Sequence, residues 1–454
     1  MSLPSRLFKL NKSVYGWAMY DWANSAFATT VMAGFFPVFF KNYWSYGTDP
    51  NISTAQLGLG NSLGGLIVSL MAPILGAIAD RGGIRKKMLI FFAYFGSLMT
   101  AGLFLVEKGD WQMAVMVYIL GVVGFSGANI FYDSLLSDVS NSFSEDYVSG
   151  FGYALGYLGG GVLFLVNVLM TLNPESFGLP DAATAVRYSF LSVAVWWAGF
   201  TIFTIVWVKE KPKQVDKSQS AVREGFRQLV NTFKKVNYLK TLGTFLIAYW
   251  LYIDGVHTII RMAVDYGMSI GFKDSDLITA LLLVQFIGFP AAIIYAKLGE
   301  RFGVRKSLLF GIVAYIGITI AGMLMNQTIH FYMIAIAVGC CQGGIQALSR
   351  SYFNRLIPLS QAGEFFGFYN MVGKFAVILG PILIGGAGLL VKALLTQDGM
   401  SPEELQFVGQ TASRWGLGAV IILFAIGLLL LSRVNEERGR EEIQQYLAAQ
   451  KSEN

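Results

Sequence analysis

Apolar runs of about 20 residues, long enough to cross the hydrocarbon core of a bilayer, alternate with short polar breaks along almost the whole chain. Twelve can be laid out: residues 14–40, 55–79, 87–106, 111–134, 149–172, 187–208, 241–265, 276–297, 306–325, 329–349, 364–391 and 414–433. The pattern predicts an all-α polytopic membrane protein with twelve transmembrane helices. Between the sixth and seventh runs it changes. Residues 209–240 begin with Lys209, Lys211, Lys213 and Lys217 around Pro212, Ser218 and Ser220, which read as a flexible basic linker. Phe226, Leu229, Val230, Phe233, Val236 and Leu239 then recur at helical spacing, with Arg223, Arg227, Lys234 and Lys235 mostly between them. That spacing predicts an amphipathic helix on the inner leaflet. The layout is a first half over 1–208, a linker over 209–240, a second half over 241–433 and a tail over 434–454.

Composition agrees. Mean hydropathy is +0.54, and only 14% of residues are charged, against about 25% in a soluble domain. Such a chain cannot cover a water-facing surface, so the lipid bilayer is its first partner. If both termini face the cytoplasm, 26 of the 34 basic residues fall on the cytoplasmic side, the bias that sets orientation. Cys340 and Cys341 are adjacent and form neither a disulfide framework nor a metal-ligand spacing. Only His257 and His330 are present, so no histidine-rich metal site is expected. Met1 to Ser13 is polar and basic and does not resemble a cleaved signal.

One polar break stands out. GAIADRGGIRKKM, residues 76 to 88, places Asp80, Arg81, Arg85, Lys86 and Lys87 on a turn that Gly82 and Gly83 permit. It returns in diluted form as Ala296 to Lys306, with Glu300, Arg301, Gly303, Arg305 and Lys306, 220 residues on. Ser149 to Tyr153 and Glu364 to Phe368 echo each other likewise at 215 residues. Two six-helix pseudo-repeats in parallel are a transporter design, with the site between the halves near the bilayer midplane. The stretch from Gly76 to Lys87 resembles the loop signature of the major facilitator superfamily, G-x-x-x-D-R-x-G-x-R-K, and Ala296 to Lys306 resembles its weaker copy. Four further segments are similar to the vacuole-effluxer-like branch: Tyr20 to Ala26, Tyr252 to Thr258, Gly344 to Tyr352, and Glu364 to Tyr369. The resemblance implies a major facilitator fold, export of amino acids, and a bacterial inner membrane rather than a vacuolar one. It also implies that the loop, through Gly76, Asp80, Arg81, Gly83, Arg85 and Lys86 and the second copy, latches the halves when the carrier faces outward. Asp80 can accept hydrogen bonds from a helix N-terminus or from Arg85.

Ionisable residues inside spans are costly and are functional candidates by default. Asp21 lies in the first span beside Tyr20, Trp22, Asn24 and Ser25. Asp254 lies in the seventh, where His257 and Thr258 share its helix face and Arg261 can reach Asp254 or Asp265. Lys374 lies about three turns into the eleventh run, where it needs a carboxylate partner, a ligand anion or a watery cavity. Together these charges suggest a cavity suited to a zwitterion, whose two ends each meet an opposite charge in low dielectric. Asp21 or Asp254 is a candidate carrier of a coupling proton, and His257 competes for that role. Asn24, Gln342, Gln346 and Gln285 are weaker polar candidates; Asn129, Tyr132, Asp133 and Arg350 lie near span ends, where Asp133 and Arg350 read as gate residues. Gly152, Gly156 and Gly160 repeat at four-residue steps in the fifth span, a pattern for close helix packing.

No P-loop and no catalytic serine or cysteine setting is present, so neither an enzyme nor ATP drive is expected, and no cofactor, metal or nucleic-acid partner. Asn51-Ile-Ser53 and Asn326-Gln-Thr328 match glycosylation acceptors. The residues and the resemblance lead to a secondary transporter of a small organic solute, with amino-acid export coupled to protons as the leading reading. A carrier of a larger amphiphile such as a lysolipid or peptide fragment, and a non-transporting sensor or scaffold on the carrier fold, are the rivals.

Overall fold

The computed structural model describes residues 11–80, 84–140, 145–210, 221–358 and 362–453. Its helices in chain order are α1 (Lys12–Ala26), α2 (Pro50–Asp80), α3 (Arg85–Gly102), α4 (Trp111–Ser134), α5 (Glu145–Leu172), α6 (Ala182–Trp207) and α7 (Ala221–Tyr238). They continue as α8 (Lys240–Ser269), α9 (Asp274–Phe302), α10 (Val304–Leu324), α11 (Thr328–Asn354), α12 (Ala362–Phe375), α13 (Leu379–Leu395), α14 (Pro402–Arg433) and α15 (Glu436–Glu453). Eleven helices among the described residues are long and apolar enough to cross a membrane. The eighth apolar run forms α9, which is not among those eleven. The all-α polytopic architecture is as expected; the count of twelve spans is not established.

Three spans depart from the sequence expectation for local reasons. The first runs on to Trp44, and its helix widens to π-helical turns over Phe27–Phe35 and Phe40–Trp44. Pro37 lies between these stretches; a proline removes one backbone donor and crowds the carbonyl four residues back, so the ladder shifts register. The last span begins at Pro402 rather than 414. Its first turns carry Glu403, Glu404, Gln406 and Gln410, which hid the helix from hydropathy, but a capping box between Ser401 and Glu404 starts it. The eleventh run is not one helix. It parts between Phe375 and Leu379 into α12 and α13. Outside the membrane, Asp181 caps α6 by accepting from the Thr184 N–H at 2.6 Å, and that hydrogen bond holds its carboxyl below the usual range.

By internal contact the chain forms two units, Met1–Tyr46 with Leu70–Gly225, and Gly47–Ser69 with Phe226–Asn454. In the first, α1 packs on α5 and α6, and α3 on α4. In the second, α9 packs on α11, while α8, α10 and α13 pack on α14. Residues 47–69 join the second unit because their polar groups are bonded there. Thr54 Oγ1 donates to Asp265 at 2.6 Å, Asn51 Nδ2 to Ser413 Oγ at 3.0 Å, and Ser62 Oγ to the Ile378 carbonyl at 2.9 Å, while Asp49 pairs with Lys392. Asn51 is therefore buried and its amide engaged, which makes it a poor glycosylation acceptor. The tail is helical and docked: Glu442 of α15 accepts from the Thr241 N–H at 2.8 Å and from its hydroxyl at 3.0 Å, capping the start of α8.

Candidate functional site

In the first unit a polar cluster forms on α1 around Asp21. Ser25 Oγ, one turn on, donates to Asp21 Oδ1 at 3.3 Å. Asn24 is buried and donates to Asn129 Oδ1 of α4 at 2.5 Å. Aromatic rings wall the cluster. Trp17 stacks on Tyr132 with centroids 4.1 Å apart and 9° from parallel, and Tyr20 lies 5.2 Å from Tyr132. Trp17 Nε1 also donates to the Tyr132 carbonyl at 2.9 Å, which fixes α1 against the end of α4. Asp133, exposed near the end of α4, acts electrostatically on Asp21. A half-buried carboxylate among aromatic faces is a setting for a cationic group, through charge and through the ring quadrupoles.

The four-residue glycine ladder of α5 is what lets α1 come this close. A Cβ at Gly152 would lie 2.7 Å from the Trp17 ring, one at Gly156 2.7 Å from Ser25 Oγ and 3.0 Å from Asp21 Cγ, and one at Gly160 2.9 Å from Thr29 Oγ1. The ladder thus follows Trp17, Asp21, Ser25 and Thr29 turn by turn. Gly156→Val is expected to cost about 1–3 kcal/mol through overpacking, whereas Gly161→Val, at a position with nothing within 4 Å of its Cβ, should be neutral. Thermal unfolding of the purified variants checks this; equal midpoints would remove the ladder's role.

In the second unit Asp254, His257, Arg261 and Lys374 come together. Asp254 is fully buried on α8, and its carboxylate accepts from the Leu379 and Gly380 N–H groups at 2.9 and 3.0 Å and from Thr258 Oγ1 at 3.2 Å. His257 Nδ1 is 3.0 Å from the Ala376 carbonyl. Arg261 acts electrostatically on both Asp254 and His257, and Lys374 on His257. Lys374 stands in the last turn of α12, where a cation suits the helix dipole. Tyr249 stacks on Tyr369 at 4.4 Å one turn before it. On α11, Gln342 is half-buried and Gln346 exposed.

The family model described as vacuole effluxer Atg22 like matches residues 53–145 and 137–388. The MFS-type transporter YxiO of Bacillus subtilis is 38% identical over 439 residues, covering 96% of this chain and 98% of that protein. The chain belongs to the vacuole effluxer Atg22-like family. Autophagy-related protein 22 of Yarrowia lipolytica is 23% identical, with 84% of this chain and 75% of that protein aligned. A crystal structure of the nucleoside transporter NupG shares the fold with a TM-score of 0.68 at 14% identity, over 91% of this chain and 99% of NupG. This Atg22-like chain is a multi-pass major facilitator transporter, and its relatives support secondary transport of a solute and point away from an enzyme.

In this Atg22-like protein the signature loop makes contacts that its spacing did not foretell. The side chain of Asp80, Gly76, and all of Arg81 and Gly83 lie outside the described residues, as does the side chain of Glu300. Arg85 is 2% exposed. Its Nη2 meets Asp138 Oδ2 at 2.5 Å, its Nε meets Glu210 Oε1 at 3.0 Å, and its Nη1 donates to the Ser134 carbonyl at 2.9 Å. Glu210 also accepts the backbone N–H groups of Arg85 and Lys86 at 3.1 and 3.3 Å, capping α3, while Lys86 Nζ donates to the Val208 carbonyl at 2.7 Å. Every one of these partners belongs to the first unit. In the second copy Gly303 takes φ +90°, open only to glycine at low cost. Arg305 donates to the Ser432 carbonyl, Arg301 lies over the Phe302 ring with 5.5 Å to its centroid, and Lys306 is exposed. Sequence reasoning missed Asp138 and Glu210. A signal existed: a carboxylate follows the sixth span at Glu210 and the last span at Glu436, where it pairs with Arg355 at 3.8 Å.

Proposed function

We propose that the protein exports a small amino acid or closely similar zwitterion, driven by protons, across a bacterial inner membrane with both termini cytoplasmic. The observation that carries this reading is the charge chemistry of the two units. The first offers the Asp21 carboxylate among Trp17, Tyr20 and Tyr132, suited to an ammonium. The second offers Lys374 and Arg261, suited to a carboxylate. Each unit thus carries a charge suited to one end of a zwitterion, and the halves spanning 1–208 and 241–433 are read as the two arms of alternating access. The description of the family as effluxers supports the direction. Asp21 is the residue we assign to carry the proton in exchange for the substrate ammonium, and the signature loop the latch.

Purified protein in proteoliposomes with an imposed pH gradient is expected to accumulate at least one labelled amino acid from a broad panel, and a protonophore should abolish that. Absence of accumulation across the panel would sink the reading. One observation favours the amphiphile alternative: a groove of about 710 Å³ on the first unit between α5 and α6, lined by Leu163, Met170, Tyr188, Val195, Trp196 and Phe200. Thermal stabilisation by lysolipid with none by any amino acid would favour it.

A further inference from the structure

The break between α12 and α13 falls about midway along a membrane-spanning run. Backbone freed at that depth must find partners inside the protein, because the bilayer core supplies no water. Here the partners come from two turns of one helix. Asp254 takes the first two N–H groups of α13, those of Leu379 and Gly380, one on each carboxylate oxygen at 2.9 and 3.0 Å. His257 Nδ1, one turn on, lies 3.0 Å from the carbonyl of Ala376, inside the break. Thr258 Oγ1 braces Asp254 Oδ1 at 3.2 Å. Gly380 leaves room for this: a Cβ there would overlap Thr258 and lie 2.9 Å from Asp254 Oδ1.

Among the described residues, Arg261 of its own helix acts on Asp254, and Arg261 and Lys374 of α12 act on His257, one turn on. The aromatic hydroxyls of Tyr249 and Tyr369 lie farther toward the start of α8. The adjoining stretches of α13 and α14, residues 379–391 and 415–432, contain no titratable side chain, and Asn61 of α2, which reaches Met262 at 3.8 Å, is neutral. Asp254 is thus spent on backbone, and only Phe375, the last residue of α12, separates Lys374 from the break.

We propose that Asp254 is a positioning residue for Lys374: its carboxylate holds the N-terminus of α13, and uptake of a proton releases the break and frees Lys374 to move. The step is a proton transfer from water to one carboxylate oxygen. A carboxylic acid then presents an O–H donor where two N–H donors converge, so one amide loses its acceptor. Losing a side-chain cap of this kind weakens the helix end it held. The proposal rests on the reading of Lys374 as the cation that meets the substrate, and it moves Asp254 from substrate contact to control of that contact.

Hydrogen exchange read by mass spectrometry, on the full chain in lipid nanodiscs from pH 8 to pH 5, tests it without any solute. Rates are corrected for intrinsic exchange, with a peptide from α14 as internal standard. Wild-type protection of the Leu379 and Gly380 amides is expected to fall at least tenfold with acidification while the α14 peptide holds. Asp254→Asn should show low protection throughout, and Asp254→Glu should restore the pH dependence. Constant wild-type protection across the range overturns the proposal, as does Asp254→Asn with wild-type protection. Should the asparagine variant fail to fold, the wild-type series decides alone. The readout is independent of transport, so negative uptake assays leave it standing, and its failure leaves amino-acid export untouched.

Discussion

Arg85→Ala should be among the most damaging single changes in the chain, lowering stability by about 3–5 kcal/mol. Removing the guanidinium takes the buried cation away from Asp138 and Glu210, which it holds at 2.5 and 3.0 Å, and leaves Glu210 with its bonds to the first amides of α3. Breaking one side of a buried pair costs more than the pair contributes, because the remaining charge is left desolvated. Three chain segments would loosen together: the start of α3, the stretch after α4 and the end of α6. Arg85→Lys should rescue little, since one ammonium cannot reproduce a fork that serves Asp138, Glu210 and the Ser134 carbonyl at once. Thermal unfolding of detergent-purified protein should show Arg85→Ala more than about 5 °C below wild type, with the exposed Lys87→Ala unchanged. Equal midpoints for the two variants would refute the buried network.

Lys374→Met is the largest functional effect expected from the proposed mode of binding. A substrate carboxylate that meets Lys374 in low dielectric loses about 2–5 kcal/mol when its partner is truncated, upwards of about 30-fold in affinity. Lys374→Arg should keep the charge and part of the binding. The measurement is ligand-induced thermal stabilisation by whichever amino acid is transported, since binding to the folded state appears as a raised midpoint. Asp21→Asn should lose the shift as well. If Lys374→Met keeps a wild-type shift, the carboxylate is bound elsewhere and the assignment of the cationic subsite fails.

The sequence carried the helical spans and the loop signature because each is a local property, readable from the period of apolar residues or from a few adjacent side chains; the basic linker over 211–220 lies outside the described residues. It also singled out Asp21, Asp254, His257, Arg261 and Lys374, since an ionisable residue in an apolar run is conspicuous wherever it ends up. Less was legible about what those residues do. Asp254 caps α13: Gly380-Pro381 marks where the helix parts, since a proline removes the donor to Val377 and crowds its carbonyl, but it does not say which side chain takes the freed amides. The first turns of α14 were hidden by their own polar face, and the glycine ladder's partner could not be named until α1 was laid against α5.

Hydropathy and spacing by themselves determined that this chain crosses a membrane repeatedly, that its two halves repeat, and where its buried charges lie. Only the tertiary structure decided their partners. Arg85 finds Asp138 and Glu210, 53 and 125 residues away, and Thr54 finds Asp265, 211 residues away. Asp254 finds the Leu379 amide at 125. The physical reason is that in a low-dielectric interior each charge and each freed amide must be satisfied. That requirement states that a partner exists, while the packing of helices far apart in sequence chooses which one.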